Sequence, residues 1–248
     1  MTTFAERARG VLGPTLVALV AFLILVALGT WQLQRKTWKD GLIATLAAHL
    51  AETPTALPAP ATWRDLASDA DEFHRVKFSA TLMHDREALV YTSGSSFRPD
   101  ISGPGYWVMT PARLADGRVV MIDRGFVPEG KQDPATRAEG QVGGTIEITG
   151  ALRWPEPRGT FTPVDQPAKN LWFVRDPQAI AAAKGLSDVA PFFVEQEAPP
   201  PPGGLPKAGA VQPRLPNNHL QYALTWYGLA AVLLGVFGFW LRGRRQAG

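Results

Sequence analysis

Two short runs of polar and aromatic residues, each beside a long apolar segment, hold the residue types best suited to chemistry. In the first, Trp31, Arg35 and Trp38 recur at i, i+4 and i+7, so a helix would carry them on one stripe. In the second, His219, Tyr222 and Trp226 recur at i, i+3 and i+7 and form another stripe. Gln32, Asn217, Asn218 and Gln221 add polar groups close by. If the stripes face each other, they wall a pocket with aromatics, one imidazole and at least one guanidinium. That set suits a haem: a neutral imidazole is an axial iron ligand, aromatics flank the macrocycle, and Arg35, Lys36 or Arg214 would pair with propionates. The same residues also suit a plain membrane interface, where aromatic belts and a helix-end histidine occur without any cofactor.

Other chemistries find little support. The chain has no Walker loop, no GxGxxG after a strand, no HExxH and no GxSxG. Cysteine is absent, which removes disulfides, thiolate metal sites and cysteine nucleophiles. Met1, Met83, Met109 and Met121 are scattered, so a copper-delivery role is disfavoured. His49, His74 and His84 lack metal-ligand spacing, and His74 in Glu72-Phe73-His74-Arg75 reads as an exposed strand position. Asp123-Arg124 beside Gly125 reads as a structural ion pair at a strand end. An enzyme is not expected.

The elements that would position the two stripes are legible from hydropathy. Val11–Leu33 carries no charge and exceeds the roughly 20 residues needed to cross a bilayer, with Pro14 in its first turn. Ala27-Leu28-Gly29 resembles a signal-peptide cleavage site, but the apolar stretch is longer than a signal peptide's. His219–Leu241 is a second uncharged run and stops at Arg242-Gly243-Arg244-Arg245. The net charge is +3, and the basic excess lies at the two ends, which points to a bilayer and away from nucleic acid. Arg7, Arg9, Arg242, Arg244 and Arg245 place residues 1–10 and 242–248 in the cytoplasm. Residues 34–218 then face outwards; Arg35, Lys36 and Lys39 oppose this, but long loops translocate largely regardless of charge. No Arg/Ser-rich transit peptide precedes the first span, so a bacterial plasma membrane is expected.

Between the spans, short alternating runs read as strands. These are Val76–Leu82, Leu89–Tyr91, Tyr106–Met109, Val119–Ile122, Ile146–Leu152 and Phe192–Val194, with a hairpin turn at Asp116-Gly117. Helical pattern covers Trp38–Leu50, continuing the first span, and Pro177–Lys184. The expected fold is a membrane protein with two transmembrane helices flanking a mainly β (α+β) extracytoplasmic domain, an antiparallel sheet or small barrel. Glu52–Ala61 and Ala198–Pro216 read as proline-rich linkers, the second as a stiff spacer or a PxxP-type docking site.

The motifs along the chain add a resemblance. Gly29-Thr30-Trp31-Gln32 through Arg35 to Trp38-Lys39 resembles the end of the first span in the Surfeit-locus (Shy-type) family of cytochrome c oxidase assembly factors. Gly105–Pro111, Asp123–Pro128, Phe161-Thr162-Pro163 and Asn170–Phe173 are similar to its central signatures, and Asn217–Trp226 to the start of its second span. Two positions depart from the pattern: Phe126 stands where the family usually has Trp, and Ala80 where Gly is common. The resemblance implies an assembly factor that binds haem a, with His219 as iron ligand and Trp31, Gln32, Arg35, Tyr222 and Trp226 shaping the pocket. It further implies oxidase subunit I and haem a synthase as partners. A cofactor-free scaffold for a subunit I intermediate is the alternative, and an extracytoplasmic sensor is a third reading.

Overall fold

The computed structural model describes residues 4–213 and 215–246. Two compact units divide at Ala44 and Leu215: the helices on either side, and the domain Thr45–Arg214.

In the domain, alternation of side chains builds a closed barrel. The strands are β1 (Thr55–Ala56), β2 (Arg75–Leu82), β3 (Ala88–Gly94), β4 (Ser102–Arg113), β5 (Val119–Pro128), β6 (Thr145–Arg153), β7 (Leu171–Trp172) and β8 (Val189–Ala198). Their order is β1-β2-β6-β8-β5-β4-β3-β7, and Thr81 and Leu82 of β2 also pair with Arg113 and Ala112 of β4. That last pairing closes β2, β6, β8, β5 and β4 into a five-stranded barrel, which removes edges from those strands. Val76, Ala80, Leu82, Val120, Ile122, Ile148, Leu152, Phe192 and Val194 pack together from four of the barrel strands, with Ala112 from the fifth. The intervening residues Met109, Met121 and Phe193 point the other way, into a second cluster with Val90, Trp107, Trp172 and Ile180. β3, β7 and the helix α3 (Pro177–Ala183) supply that outer layer, and α2 (Ser68–Asp71) is a single turn before β2. Because β5 is buried on both faces, its first four residues, Val119–Ile122, read as a continuous apolar run rather than an alternating one.

Charges are buried where β5, β6 and β8 meet. Asp123 and Glu195 are register partners on β5 and β8. Arg175 Nη1 donates to Asp123 Oδ2 at 2.9 Å, and Arg153 Nη1 donates to Glu195 Oε2 at 2.7 Å. Arg175 also pairs with Glu156, and Arg153 with Glu72 at 3.0 Å. Burial, reinforced by the Glu195 charge and opposed by Arg175, pushes the Asp123 carboxyl up to about 6. Asp123 and Arg124 therefore do not pair with each other, contrary to the sequence expectation. They alternate across a strand, and Arg124 instead reaches His84 Nδ1 at 3.2 Å and the Gly140 carbonyl. Gly125 follows with φ +113, and a Cβ there would collide with the Lys207 carbonyl.

Both expected linkers belong to the domain. Thr55 and Ala56 pair in parallel with Val76 and Lys77. Beyond Ala198 the proline-rich stretch is tied down: Lys207 bridges Phe126, Gly209 N donates to Gln196 O at 3.2 Å, and Gln212 N donates to Phe97 O at 2.7 Å. Pro201, Pro206 and Val211 are buried. The stretch is a packed strap, not a free spacer, because the residues between its prolines supply the hydrogen bonds that proline cannot donate. His74 also departs from expectation. It precedes β2, is half-buried, and stacks on His49 at 3.8 Å between ring centroids.

The helical unit contains most of α1 (Phe4–Ala51), and the last helix (His219–Gln246), α4. α1 continues through the expected 38–50 segment, as read from the pattern. It begins before Val11, so Pro14 lies inside the helix and interrupts the ladder instead of occupying the first turn. Both helices are long and apolar enough to cross a membrane, with mean hydropathy 2.8 and 1.8 in their most apolar stretches. Hydroxyls within them are satisfied locally, as Thr15 donates to Val11 O and Thr225 to Gln221 O. Gly29 is buried against Tyr227, whose ring lies 2.8 Å from where a Cβ would stand. Ala223 and Ala230 are buried on the facing side, so small residues set the close approach. Thr30 and Tyr227 share a hydrogen bond at 3.0 Å across the seam.

Two outcomes follow. Asp123 binds its proton more tightly folded than its ordinary value of 3.8, so the native state holds more protons between about pH 4 and 6. Stability is then greatest below pH 4 as far as this group is concerned, and falls as pH rises from there through 6. Thermal unfolding of the full chain from pH 4 to 7.5 should show this component, and Asp123→Asn should flatten it; equal slopes would refute the assignment. Separately, Gly29→Val should lower the unfolding midpoint in detergent by several degrees by wedging the seam open. Gly41→Val, with nothing within 4 Å of its Cβ position, should not.

Candidate functional site

The second membrane-length helix begins at His219, whose ring lies beside Gln32 of α1. His219 Nδ1 and Gln32 Oε1 are 2.7 Å apart. An amide oxygen accepts, so Nδ1 is the donor of this hydrogen bond, and Nε2 takes no part in it. Among the described residues no other polar group bonds to this ring.

The approach to α4 is held on α1 by charge. Lys36 Nζ donates to Asp40 Oδ2 at 2.6 Å, and Asn217 Nδ2 donates to Asp40 Oδ1 at 2.7 Å. Lys39 donates to the Pro216 carbonyl. Asn217 Oδ1 is buried without a hydrogen-bond partner among the described residues. Beyond these contacts a groove of about 580 Å³ runs along Asn217, Asn218, Leu220, Gln221, Leu224 and Thr225.

Of the residues expected to form the pocket, the structure brings His219 and Gln32 into contact and half-buries Trp226. Trp31 and Tyr222 are 54% and 55% exposed. The Arg35 guanidinium lies 3.9 Å from the centre of the Trp38 ring, and both side chains are exposed. Lys36 is engaged by Asp40. Arg214 lies outside the described residues. The seam between the helices thus runs through Gln32, Gly29, Ala223 and Ala230, and the aromatic stripes flank it. Sequence reasoning passed over Gly29, Asp40, Ala223, Ala230 and Tyr227. The available signal was the seven-residue spacing of the two alanines, together with Gly29 three residues before Gln32.

The remaining histidines are committed elsewhere. His49 Nδ1 bonds Glu72 O at 2.9 Å, and His74 Nδ1 bonds Glu52 Oε2 at 2.8 Å. His84 Nε2 donates to Val142 O at 2.9 Å while Arg124 donates to its Nδ1, and burial lowers its pKa, so this ring is held neutral. Among the described residues no three metal-binding side chains cluster.

The central motifs have structural parts to play. Gly105 passes under the Phe126 ring and Asp123 joins the buried ion network. Asn170, in the left-handed region at φ 54, donates to Glu87 O at 3.0 Å and accepts from Lys184 Nζ at 2.7 Å.

Comparison with known proteins covers both units. Residues 19–231 match the SURF1 family. A SURF1-like protein of Monosiga brevicollis is 39% identical over 229 residues, covering 89% of this chain and 84% of its own. Surfeit locus protein 1 of Homo sapiens is 35% identical over 216 residues, covering 82% of this chain and 69% of its own. The Rattus norvegicus protein of the same name is 34% identical over 215 residues, covering 82% and 68%. The family match starts inside α1 and ends inside α4, so it takes in the barrel, the buried ion network and the residues of the helix seam. On that length of match and those identities, the chain belongs to the SURF1 family.

Proposed function

We propose that this protein is an assembly factor for haem–copper cytochrome c oxidase that binds haem a and assists its insertion into subunit I. The observation that carries the proposal is His219, an imidazole at the start of a membrane-length helix that is bonded, among the described residues, through Nδ1 alone. A neutral ring in that state has a lone pair to offer, which is what an axial iron ligand requires. Trp226, Trp31 and Tyr222 provide apolar faces for a macrocycle, and Arg35 a cation for its propionates. Haem a would be cargo here, contributing an iron centre that accepts one imidazole and a large apolar ring. Subunit I and haem a synthase are the corresponding partners. The protein would work without catalysing a reaction of its own. We place the protein in a bacterial plasma membrane; Arg242 and Arg244, with Arg7, Arg9 and Arg245 in the sequence, support an orientation with both termini cytoplasmic and the barrel outside.

A second reading, a cofactor-free scaffold that stabilises a subunit I intermediate, draws support from Trp31, Trp38 and Tyr222. These aromatics are exposed on the helices, where another membrane helix could cover them. The two readings separate in one preparation. Protein purified from cells that make haem a should show a Soret band, and His219→Ala should abolish it. Full haem occupancy in that variant would refute the ligand assignment. A colourless wild-type protein that still co-purifies with subunit I would select the scaffold.

A further inference from the structure

The ring of His219 has a single described partner, and that partner decides which nitrogen is available. A neutral imidazole exists as two tautomers, and the hydrogen bond at one nitrogen selects the form of the other. With Gln32 Oε1 2.7 Å from Nδ1, the proton sits on Nδ1 and Nε2 is the open ligand. Were the amide turned round, its NH₂ would donate to Nδ1, the proton would move to Nε2, and that nitrogen could not bind iron.

The seam holds Gln32 in register from both sides. Three residues before it, Gly29 lets the Tyr227 ring close against α1, and Thr30 is bonded to the Tyr227 hydroxyl at 3.0 Å. Four and eight residues after it, Lys36 and Asp40 pair at 2.6 Å, and Asp40 accepts from Asn217 two residues before His219. The amide is therefore presented to the imidazole by contacts that lock the two helices at that level.

We infer that Gln32 is the positioning residue of His219, setting the Nδ1–H tautomer so that a haem iron would be taken through Nε2. The inference rests on the haem reading above for its purpose, though the tautomer itself does not. A neutral amide oxygen accepts the Nδ1 proton without drawing it away, as a carboxylate would. The contact therefore sets the orientation of the ring and which nitrogen faces the ligand.

The test uses the full chain with ¹⁵N-labelled histidine, in detergent and without haem. Four histidines are present, and His219→Ala identifies the signals of position 219 by difference. The wild type should show protonated Nδ1 and unprotonated Nε2. Gln32→Leu should lose that preference, and Gln32→Glu, which keeps an acceptor, should restore it. In haem titrations Gln32→Leu should bind about ten- to a hundred-fold more weakly. Gln32→Glu should bind with a lower iron reduction potential than the wild type. A wild-type proton on Nε2, or an unchanged tautomer in Gln32→Leu, would overturn the inference. A wild type with the expected tautomer that takes up no haem would overturn the haem reading and leave the role of Gln32 on the ring standing.

Discussion

The domain depends on one buried carboxylate, Glu195, held among arginines where three barrel strands meet. Arg153 on β6 donates to it at 2.7 Å, and Arg175 lies at 3.4 Å while also binding Asp123 on β5. All four side chains are almost completely shielded from water. In that medium an unpaired charge is expensive, and removing one partner of a buried pair commonly costs about 3–5 kcal/mol. The network therefore constrains more than itself. Arg175 ties the segment after β6 to the barrel through Glu156, and Arg153 lies over the Phe73 and Phe97 rings while binding Glu72. Loops before and after the barrel strands are thus anchored on the same few charges.

The helical unit is organised by a different constraint. Along an apolar helix there is little water to satisfy polar groups, so each must find a partner on its own helix or its neighbour. Thr15, Thr37 and Thr225 turn back to carbonyls four residues earlier. Thr30 turns back to Val26 in the same way and also meets Tyr227 across the seam, while Gln32 and Asp40 reach His219 and Asn217. Thr30 lies on one side of Gly29 around α1 and Gln32 on the other, with Asp40 nearly in line with Gly29. The effect of these contacts is to fix the register of the seam, and with it the state of the one imidazole in the unit. The domain supplies a closed barrel, and the helices carry His219, on which the proposed haem binding rests.

Much of this was readable in advance where a residue's role depends on its near neighbours. Val76–Leu82 alternates because only one side of β2 enters the barrel, and Asp116-Gly117 turns because Gly117 adopts φ +88. β1 and β7 are two residues each and carry no period, so only their pairing with β2 and β3 reveals them. The strap after Ala198 looked like a spacer because proline content reports backbone stiffness and says nothing of what the chain packs on. Asp123 and Arg124 looked like a pair because they are adjacent, but in a strand adjacent side chains leave on opposite faces.

By itself, then, the sequence determined the two apolar spans and the mainly β character of the region between them. These follow from composition and short-range periodicity, which act along the chain. Tertiary structure alone decided that the barrel closes through β2 and β4, that Glu195 and Asp123 share two arginines, and that Gln32 rather than an aromatic stripe meets His219. The last choice is steric: helices approach where Gly29, Ala223 and Ala230 leave room, and Trp31, Trp38 and Tyr222 are too large to lie in so close a seam. Which residues face each other across two helices is set by that fit, and the fit belongs to the pair.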